Sequence, residues 1–507
     1  MPLLAAWAVL TPAGDARATL DALANNRLDP GRLEGPLLPL LIRLGRTALA
    51  GTTPDLVLLA TAKGDLPLWT DSLFADPPSE AGGPAWLAQG LAREFACPAW
   101  TVSAACASGP VALAEAARCL RSGSHRRILV LGGERLAPFV TEGFAGLKAI
   151  DPNGCHPFAA RRAGTVLSET AAAIVLVPGD ATDDLPMLQG WGHSLDAHHL
   201  TGPCRDGAGL VRACSAAAEI AGNPQPGLVI AHGTATRAND EAEAAAYAAW
   251  CPGVPVTAWK GGLGHSLGAC GLTEAALAAE AWMAGGMIPG TRGNPQVGTS
   301  AGIPVLGEGW HRPPGPWLST NAGFGGINGA IILGDRPPRP PTTRVSACVA
   351  RCQLEADGNR RIPRPTARQV LGRVDASWGR MDAASRALVA LGHQLGSWSP
   401  GAGLVLVTTQ GCRDTDQTFE GGRRRGEPDW QVFAYTLPST PLGEGSIRLG
   451  ICGPGLALVG ADADAARATA RRLIDEGVPE VLVAGIETGP LATPESAWAE
   501  RWRPTDF

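Results

Sequence analysis

The sequence predicts an α/β protein of stacked strand and helix layers, divided into a large first module and a smaller second one. Short runs rich in Val, Ile and Leu alternate with longer Ala-rich stretches, the pattern of strands feeding helices. Four prolines crowd residues 334–344, and because each fixes φ and removes a backbone donor, neither helix nor sheet can run through. The 507 residues are 45% apolar and 18% charged, enough to fill packed cores and too weakly charged for a disordered chain. The expected modules are 1–335 and 345–507, joined by a Pro-rich linker at 336–344.

Residues 1–10 are apolar, lack a basic flank and stop at Thr11-Pro12, which reads as a first strand and not a signal peptide. From residue 101 a strand enters a turn of small residues, a helical pattern covers 110–120, and a second strand covers 128–131. Another strand, 228–231, precedes a helical stretch at 240–250. Residues 456–487 repeat 101–134 in outline, as strand, turn, helix and strand, each copy ending on a glutamate (Glu134, Glu487). Asp462 stands where the first copy has Cys106.

Charge and cysteine usage exclude several classes. Lys and Arg number 42 against 47 Asp and Glu, a net charge of −5, and the longest basic run is Arg423-Arg424-Arg425, so there is little electrostatic reason to bind nucleic acid. The twelve cysteines are scattered, with no Cys-x-x-Cys pair and no zinc-like Cys/His spacing, which argues against a disulfide framework or structural metal and for a reducing cytoplasm. No apolar run reaches the roughly 18 residues of a membrane helix.

Four segments could carry chemistry. Thr101-Val-Ser-Ala-Ala-Cys106-Ala-Ser-Gly109 can set a cysteine at a helix N-terminus, where unpaired N–H groups favour the thiolate, or it can hold a buried structural cysteine. A free thiol titrates near pKa 8.5, so lowering it by about one or two units would give a competent nucleophile. Ala231-His232-Gly-Thr234-Ala-Thr236 closes a strand, where α/β folds collect ligand groups, though a lone His there is more often structural. Lys260-Gly-Gly-Leu-Gly-His265-Ser-Leu-Gly-Ala269 bends a glycine-rich backbone around a Lys and a His. Asn321-Ala-Gly-Phe324-Gly-Gly-Ile-Asn328 is either a mobile turn carrying an aromatic ring or a plain tight turn.

In this order, and with Asp196-Ala-His-His199-Leu-Thr-Gly-Pro203 and Asn239-Asp240-Glu241-Ala-Glu243, the segments resemble the β-ketoacyl-acyl-carrier-protein synthases of the thiolase-like fold over nearly all of 1–335. The resemblance implies a thiolase-like layered αβαβα fold. It implies that Cys106 accepts an acyl group from a carrier-protein or coenzyme A thioester, and that His232 and His265 stabilise the enolate left when a malonyl thioester loses CO2. Lys260 and Glu274 would organise the histidines, Thr234 and Thr236 would hold the pantetheine arm, and Phe324 would gate the pocket. Backbone N–H groups at Cys106 and Phe324 would hold the acyl oxyanion. The family uses no metal and no cofactor beyond the phosphopantetheine or coenzyme A of its substrates, and its partners are an acyl carrier protein and a second, identical or related, synthase chain. Cys270 is expected to be packing.

The chain departs from the family pattern in places. Phe158-Ala-Ala-Arg161-Arg-Ala-Gly164-Thr-Val-Leu-Ser-Glu169-Thr-Ala171 keeps Arg161, Gly164 and Glu169 but loses two aspartates; Ala322 replaces a phenylalanine; and Cys106 arrives about fifty residues early. The last point removes material that builds the family's dimer contact and part of its tunnel. Residues 345–507 look like a smaller, half-thiolase-like α/β module that copies the family's N-terminal half: Met381-Asp-Ala-Ala-Ser-Arg386, Leu404-Val-Leu-Val-Thr-Thr-Gln-Gly-Cys412, Tyr435-Thr-Leu-Pro-Ser439 and Gly443-Glu-Gly-Ser-Ile-Arg448, without the nucleophile or either histidine motif. Half of such a fold would expose an apolar face. This module is therefore expected to pack against the first and supply the missing surface. The competing reading is a noncatalytic partner like a chain-length factor, or a carrier-protein-binding scaffold; a lesser one is an acyltransferase or hydrolase that loads Cys106 without condensing.

Overall fold

Strand-forming runs such as Leu-Val-Leu-Leu-Ala at 56–60 are buried at every position, as strands covered on both faces must be. The computed structural model describes residues 2–77, 79–179, 184–285, 287–292, 298–311, 313–340, 344–357, 360–488 and 495–505. The first module supplies β1 (Pro2–Leu10), β2 (Leu56–Ala60), β3 (Ala99–Ser103), β4 (Ile128–Gly133), β5 (Ala171–Pro178), β6 (Met187–Leu195), β7 (Leu228–Ile230), β8 (Val256–Thr257), β9 (Trp317–Gly323) and β10 (Ile327–Gly334). The second supplies β11 (Ser346–Leu354), β12 (Gly403–Thr408), β13 (Gly455–Val459), β14 (Val481–Glu487) and β15 (Ser496–Pro504). Among the described residues these fifteen strands form one sheet, in the order β11-β15-β14-β12-β13-β3-β2-β4-β5-β1-β6-β10-β9-β7-β8.

Within the first module β1 and β6 pair only at Leu3 and Met187, so the strands group into two five-stranded halves on either side of that contact. Helices Ser108–Arg121 and Cys270–Ala284 pack between the halves, helix Leu37–Leu49 covers β1, β4 and β5, and helix Ala208–Ala221 covers β6 and β10. That is the αβαβα layering. The two central helices are rich in small residues because they nearly touch: a Cβ on Gly109 would lie 2.3 Å from the Leu272 nitrogen.

The second module repeats one half of this arrangement. β13-β12-β14-β15-β11 has the order and the parallel or antiparallel sense of β3-β2-β4-β5-β1. The copies meet about a local two-fold axis through an antiparallel ladder, Ala457 with Ser103, Leu458 with Val102 and Val459 with Thr101. Glu134 and Glu487 do the same task in each copy, accepting backbone N–H groups from the turn after β2 (Lys63 at 3.3 Å, Gly64 at 3.1 Å) and after β12 (Thr409 at 2.5 Å, Gln410 at 3.4 Å). Asp462 caps helix Ala463–Asp475, its carboxylate accepting the Ala465 N–H at 2.8 Å.

β10 ends at Gly334 and β11 begins at Ser346; within the expected linker, Pro341, Thr342 and Thr343 lie outside the described residues. The linker does not divide two cores, because one buried apolar cluster contains Val102 and Val111 together with Leu404, Leu456 and Leu473. The apolar face expected on a half-fold is covered internally as well. Helix Ala463–Asp475 lays Arg467 over Trp498 and Arg471 over Trp502, at 5.4 and 5.3 Å, and Glu500 binds Arg467 at 3.0 Å. No helix among the described residues is long and apolar enough to cross a membrane.

Candidate active site

The four singled-out segments converge at the C-terminal ends of β3, β7 and β9. After β3 the chain turns through Ala105, whose φ of 51° lies in the left-handed region, and the helix begins at Ser108. The Ser108 hydroxyl pins this turn by accepting the Ala104 N–H at 2.9 Å and donating to the Ala105 carbonyl at 2.6 Å. Cys106 is thereby held, buried, at the head of a fourteen-residue helix. Gly323 must be glycine here, since a Cβ would stand 2.8 Å from the Cys106 nitrogen.

His232 follows β7. The Glu243 carboxylate accepts its N–H at 2.8 Å and that of Gly233 at 2.7 Å, while Asp240 accepts from Ala235 at 3.1 Å and Phe158 at 2.6 Å. The retained Arg161 is exposed; its neighbour Arg162 is the buried one, reaching Asp240 at 3.7 Å and Glu241 at 2.5 Å. His265 closes the glycine loop with its N–H on the Val166 carbonyl at 2.7 Å. One ligand-type atom from each of Cys106, His232 and His265 lies within 4.8 Å of the other two, and the imidazoles meet edge to face with centroids 5.2 Å apart.

The tautomers follow from the neighbours. Asn321 Nδ2 donates to His232 Nδ1 at 3.1 Å and to Glu274 Oε2 at 3.0 Å; since a carboxylate only accepts, the amide is oriented and Nδ1 must be the acceptor. The Leu267 N–H donates to His265 Nδ1 at 3.3 Å. Each ring therefore carries its proton on Nε2, so the free nitrogens are N–H donors, which suit a developing oxyanion and not a cation. Burial, then the charge of Lys260, drives both histidines well below the usual imidazole range, and His265 adds to the effect on His232. Lys260 Nζ donates to Glu274 Oε1 at 2.6 Å. Burial works against the lysine charge, but Cys270 and Glu274 more than restore it and hold it above the ordinary lysine range.

Asn321 thus links Lys260–Glu274 to His232, a role the sequence signals only by its place at the start of the Gly-Phe-Gly-Gly turn. Cys270 is more than packing, because its thiol donates to the Cys106 carbonyl at 3.5 Å, and its sulfur lies 3.6 Å from Asn321 Nδ2. Thr234 and Thr236 face each other, Oγ to Oγ, at 3.0 Å. Both line an outer cavity of about 410 Å³ that also reaches Cys106, His232, His265, Ala322 and Phe324. Phe144, which no motif marks, stacks on Phe324 with centroids 5.6 Å apart. Behind Cys106 a second, small cavity is walled partly by the second module, through Phe433, Thr436 and Leu437.

The thiol is not acidic in this state, contrary to the expectation from its helix N-terminus. Burial pushes Cys106 up to about 12, Glu134 adds to this, and Lys260 and the thiol's own backbone N–H oppose it. Below that value its thiolate fraction rises tenfold per pH unit. Alkylation of Cys106 by iodoacetamide, followed by peptide mapping, is therefore expected to keep accelerating between about pH 8 and 10, where an ordinary thiol levels off.

Comparison with known proteins agrees with this geometry. Residues 19–181 match the family model "Beta-ketoacyl synthase, N-terminal domain" and residues 185–293 match "Beta-ketoacyl synthase, C-terminal domain". The chain is 31% identical over 346 residues to "Putative polyketide beta-ketoacyl synthase 1" of Streptomyces halstedii, covering 63% of this chain and 79% of that one. It is also 31% identical over 264 residues to "3-oxoacyl-[acyl-carrier-protein] synthase 2" of Vibrio cholerae, covering 48% of this chain and 64% of the relative. Among solved structures, "PfaC Keto synthase-Chain length factor" superposes on 99% of this chain and 78% of its own length with a TM-score of 0.75 at 14% identity, so the whole two-module fold has a counterpart. With both halves of the family matched in sequence, and the strand, turn and helix elements beneath them folded around one buried site, the chain belongs to the β-ketoacyl synthase family.

Proposed function

We propose that the chain catalyses decarboxylative condensation of an acyl thioester with a malonyl thioester carried by an acyl carrier protein, in fatty acid or polyketide assembly. The observation that carries this reading is the pair of neutral imidazoles, each held at Nδ1 by an N–H donor so that its proton sits on Nε2, and each with a ring nitrogen within 4.8 Å of the Cys106 sulfur. In the first half-reaction Cys106 sulfur attacks the acyl carbonyl. The oxyanion takes the backbone N–H groups of Cys106 and Phe324, and the pantetheine thiol leaves with the cysteine's proton. The helix N-terminus and the Lys260 charge favour the transient thiolate that burial disfavours at rest. In the second, the malonyl thioester lies in the outer cavity with its pantetheine arm at Thr234 and Thr236. As the carboxyl leaves as CO2, Nε2–H of His232 and of His265 bind the enolate oxygen. The enolate carbon then attacks the acyl carbonyl, a C–C bond forms, the C–S bond to Cys106 breaks, and the leaving thiolate takes a proton from solvent through the outer cavity it lines. Phosphopantetheine enters only as part of the substrates.

The noncatalytic-partner reading is favoured for residues 345–507 alone, where Asp462 caps a helix at the position of the nucleophile and Phe433, Thr436 and Leu437 wall the cavity behind Cys106. The second module then occupies, within one chain, the β3 edge that a second synthase chain would otherwise take. All twelve cysteines are free thiols, which suits the cytoplasm. Intact-mass spectrometry tests the main reading. Wild-type protein given an acyl carrier thioester is expected to gain one acyl group at Cys106, and then to release a β-ketoacyl carrier product when malonyl carrier protein is added. Cys106→Ala should gain none. Wild type that stays unmodified would leave the partner or scaffold reading.

A further inference from the structure

The space open to an acyl group on Cys106 runs toward the module junction as three chambers that share walls. The outer cavity stops at Cys106 and at the stacked rings of Phe144 and Phe324. The inner chamber shares these three residues, is otherwise lined mainly by apolar side chains including Phe139, Leu267, Phe433 and Leu437, and holds about 20 Å³. A single water-sized sphere needs about 10–15 Å³, so there is room for one methyl-sized group.

The far wall is different in kind. Lys63 lines the inner chamber and also a third chamber of about 20 Å³, which contains Asp416, Cys412 and Gln410, so this one side chain stands between the two. Its three donors are all used: Asp416 Oδ1 at 2.5 Å, Asp416 Oδ2 at 2.6 Å and the Thr436 carbonyl. Cys412 Sγ lies 3.6 Å away and the Phe139 ring 5.2 Å away. Trp69 Nε1 donates to Asp416 Oδ2 at 2.8 Å, fixing the carboxylate. The side chains of Lys63 and Asp416 are 5% and 2% exposed. Lys63 belongs to the first module, Asp416 and Thr436 to the second, so the wall exists only when the modules are packed together. An apolar floor yields to a longer chain by a rotamer change. A buried ion pair does not, because alkyl groups entering it must part the charges without offering either a partner.

We infer, on the footing of acyl transfer to Cys106, that the Lys63–Asp416 pair is the chain-length stop of this pocket and restricts Cys106 to acyl groups of about acetyl size. Removing both charges in one step keeps either from being left unpaired, and Lys63→Met with Asp416→Ala does so while opening the space of the carboxylate and not filling it. The two chambers then merge.

The test loads Cys106 from acetyl-, butyryl-, octanoyl- and dodecanoyl-coenzyme A and follows adduct formation by intact mass. Wild type is expected to load octanoyl at least about tenfold more slowly than acetyl. The double variant, checked for an unchanged circular dichroism spectrum and thermal midpoint, is expected to load octanoyl nearly as fast as acetyl. Uniform loading by wild type, or an unchanged preference in a folded double variant, would overturn the stop and leave the acyl-transfer reading standing. If no thioester loads Cys106, both fall. If the double variant does not fold, the wild-type series decides, together with labelling of Cys106 by alkyl methanethiosulfonates from methyl to octyl, which reads pocket depth without any catalytic step. A steep loss of labelling with alkyl length supports the stop, and a flat profile overturns it.

Discussion

His232→Ala and His265→Ala proteins are each expected to acquire an acyl group on Cys106 at close to the wild-type rate, and to form β-ketoacyl product about 10²–10³-fold more slowly. Neither imidazole touches the acyl carbonyl in the proposed first half-reaction, whose oxyanion is held by backbone N–H groups. Both give their one free N–H to the enolate in the second. The effect is large because His232 and His265 are each 2% exposed, and a hydrogen bond to developing charge counts for more at a buried site than in water. Single-turnover mass spectrometry of acyl adduct, with release of labelled CO2 followed in parallel, separates the half-reactions. Loss of acylation in either variant at unchanged thermal stability would mean that the histidine serves the nucleophile instead. Asn321→Leu is the informative companion, since it removes the donors to His232 Nδ1 and to Glu274 without truncating the ring. A defect in product formation as deep as that of His232→Ala would show that the polar link through Asn321, and not the mere presence of the ring, carries the effect.

Removing residues 345–507 is expected to leave a first module that is insoluble or only partly folded and does not acylate Cys106. The cut uncovers the β3 edge and severs buried charges that cross the junction. Lys63 loses Asp416, Glu115 loses Arg472 and Thr469, and Arg118 loses the Glu476 carboxylate at 2.7 Å. Breaking one buried pair by removing a partner typically costs about 3–5 kcal/mol, and a whole domain is stable by only about 5–15 kcal/mol. The ring cluster of Phe139 with Phe419 and Phe433, centroids 5.0 and 6.2 Å apart, is lost as well. Solubility, circular dichroism and thermal unfolding of 1–335, alone and coexpressed with 345–507, measure this directly. A soluble module with full acylation would show that the second module is dispensable, and rescue in trans would show that packing, and not covalent connection, is what matters.

Much of the site was legible in the sequence because its parts are local. Strand, tight turn and helix around Cys106, the His-Gly-Thr turn and the glycine loop of His265 each depend on residues within a few positions of one another, and small or glycine residues at the close approaches leave a readable mark. Cys106, His232, His265, Lys260, Glu274, Thr234, Thr236 and Phe324 all fall in or around one buried site. Thiol acidity was not legible, since the helix N-terminus is a local feature while the burial that opposes it is a sum over distant elements. Asn321 and Cys270 were seen only as parts of turns because their roles lie in partners more than forty positions away.

What the sequence by itself determined is the alternation of strands and helices, the half-repeat in the second module and the chemical groups of the site, all of which follow from short-range backbone preference and side-chain chemistry. Only the tertiary structure decided that β13 seals the β3 edge, that guanidinium groups cover the tryptophans of the half-fold, and that Phe433, Leu437 and the Lys63–Asp416 pair close the pocket behind Cys106. Apart from the guanidinium–tryptophan pairs, which lie 31 positions apart, these contacts join residues hundreds of positions apart. They are set by strand-edge complementarity, by volume and by the cost of leaving a buried charge unpaired, none of which leaves a periodic or local trace in the chain.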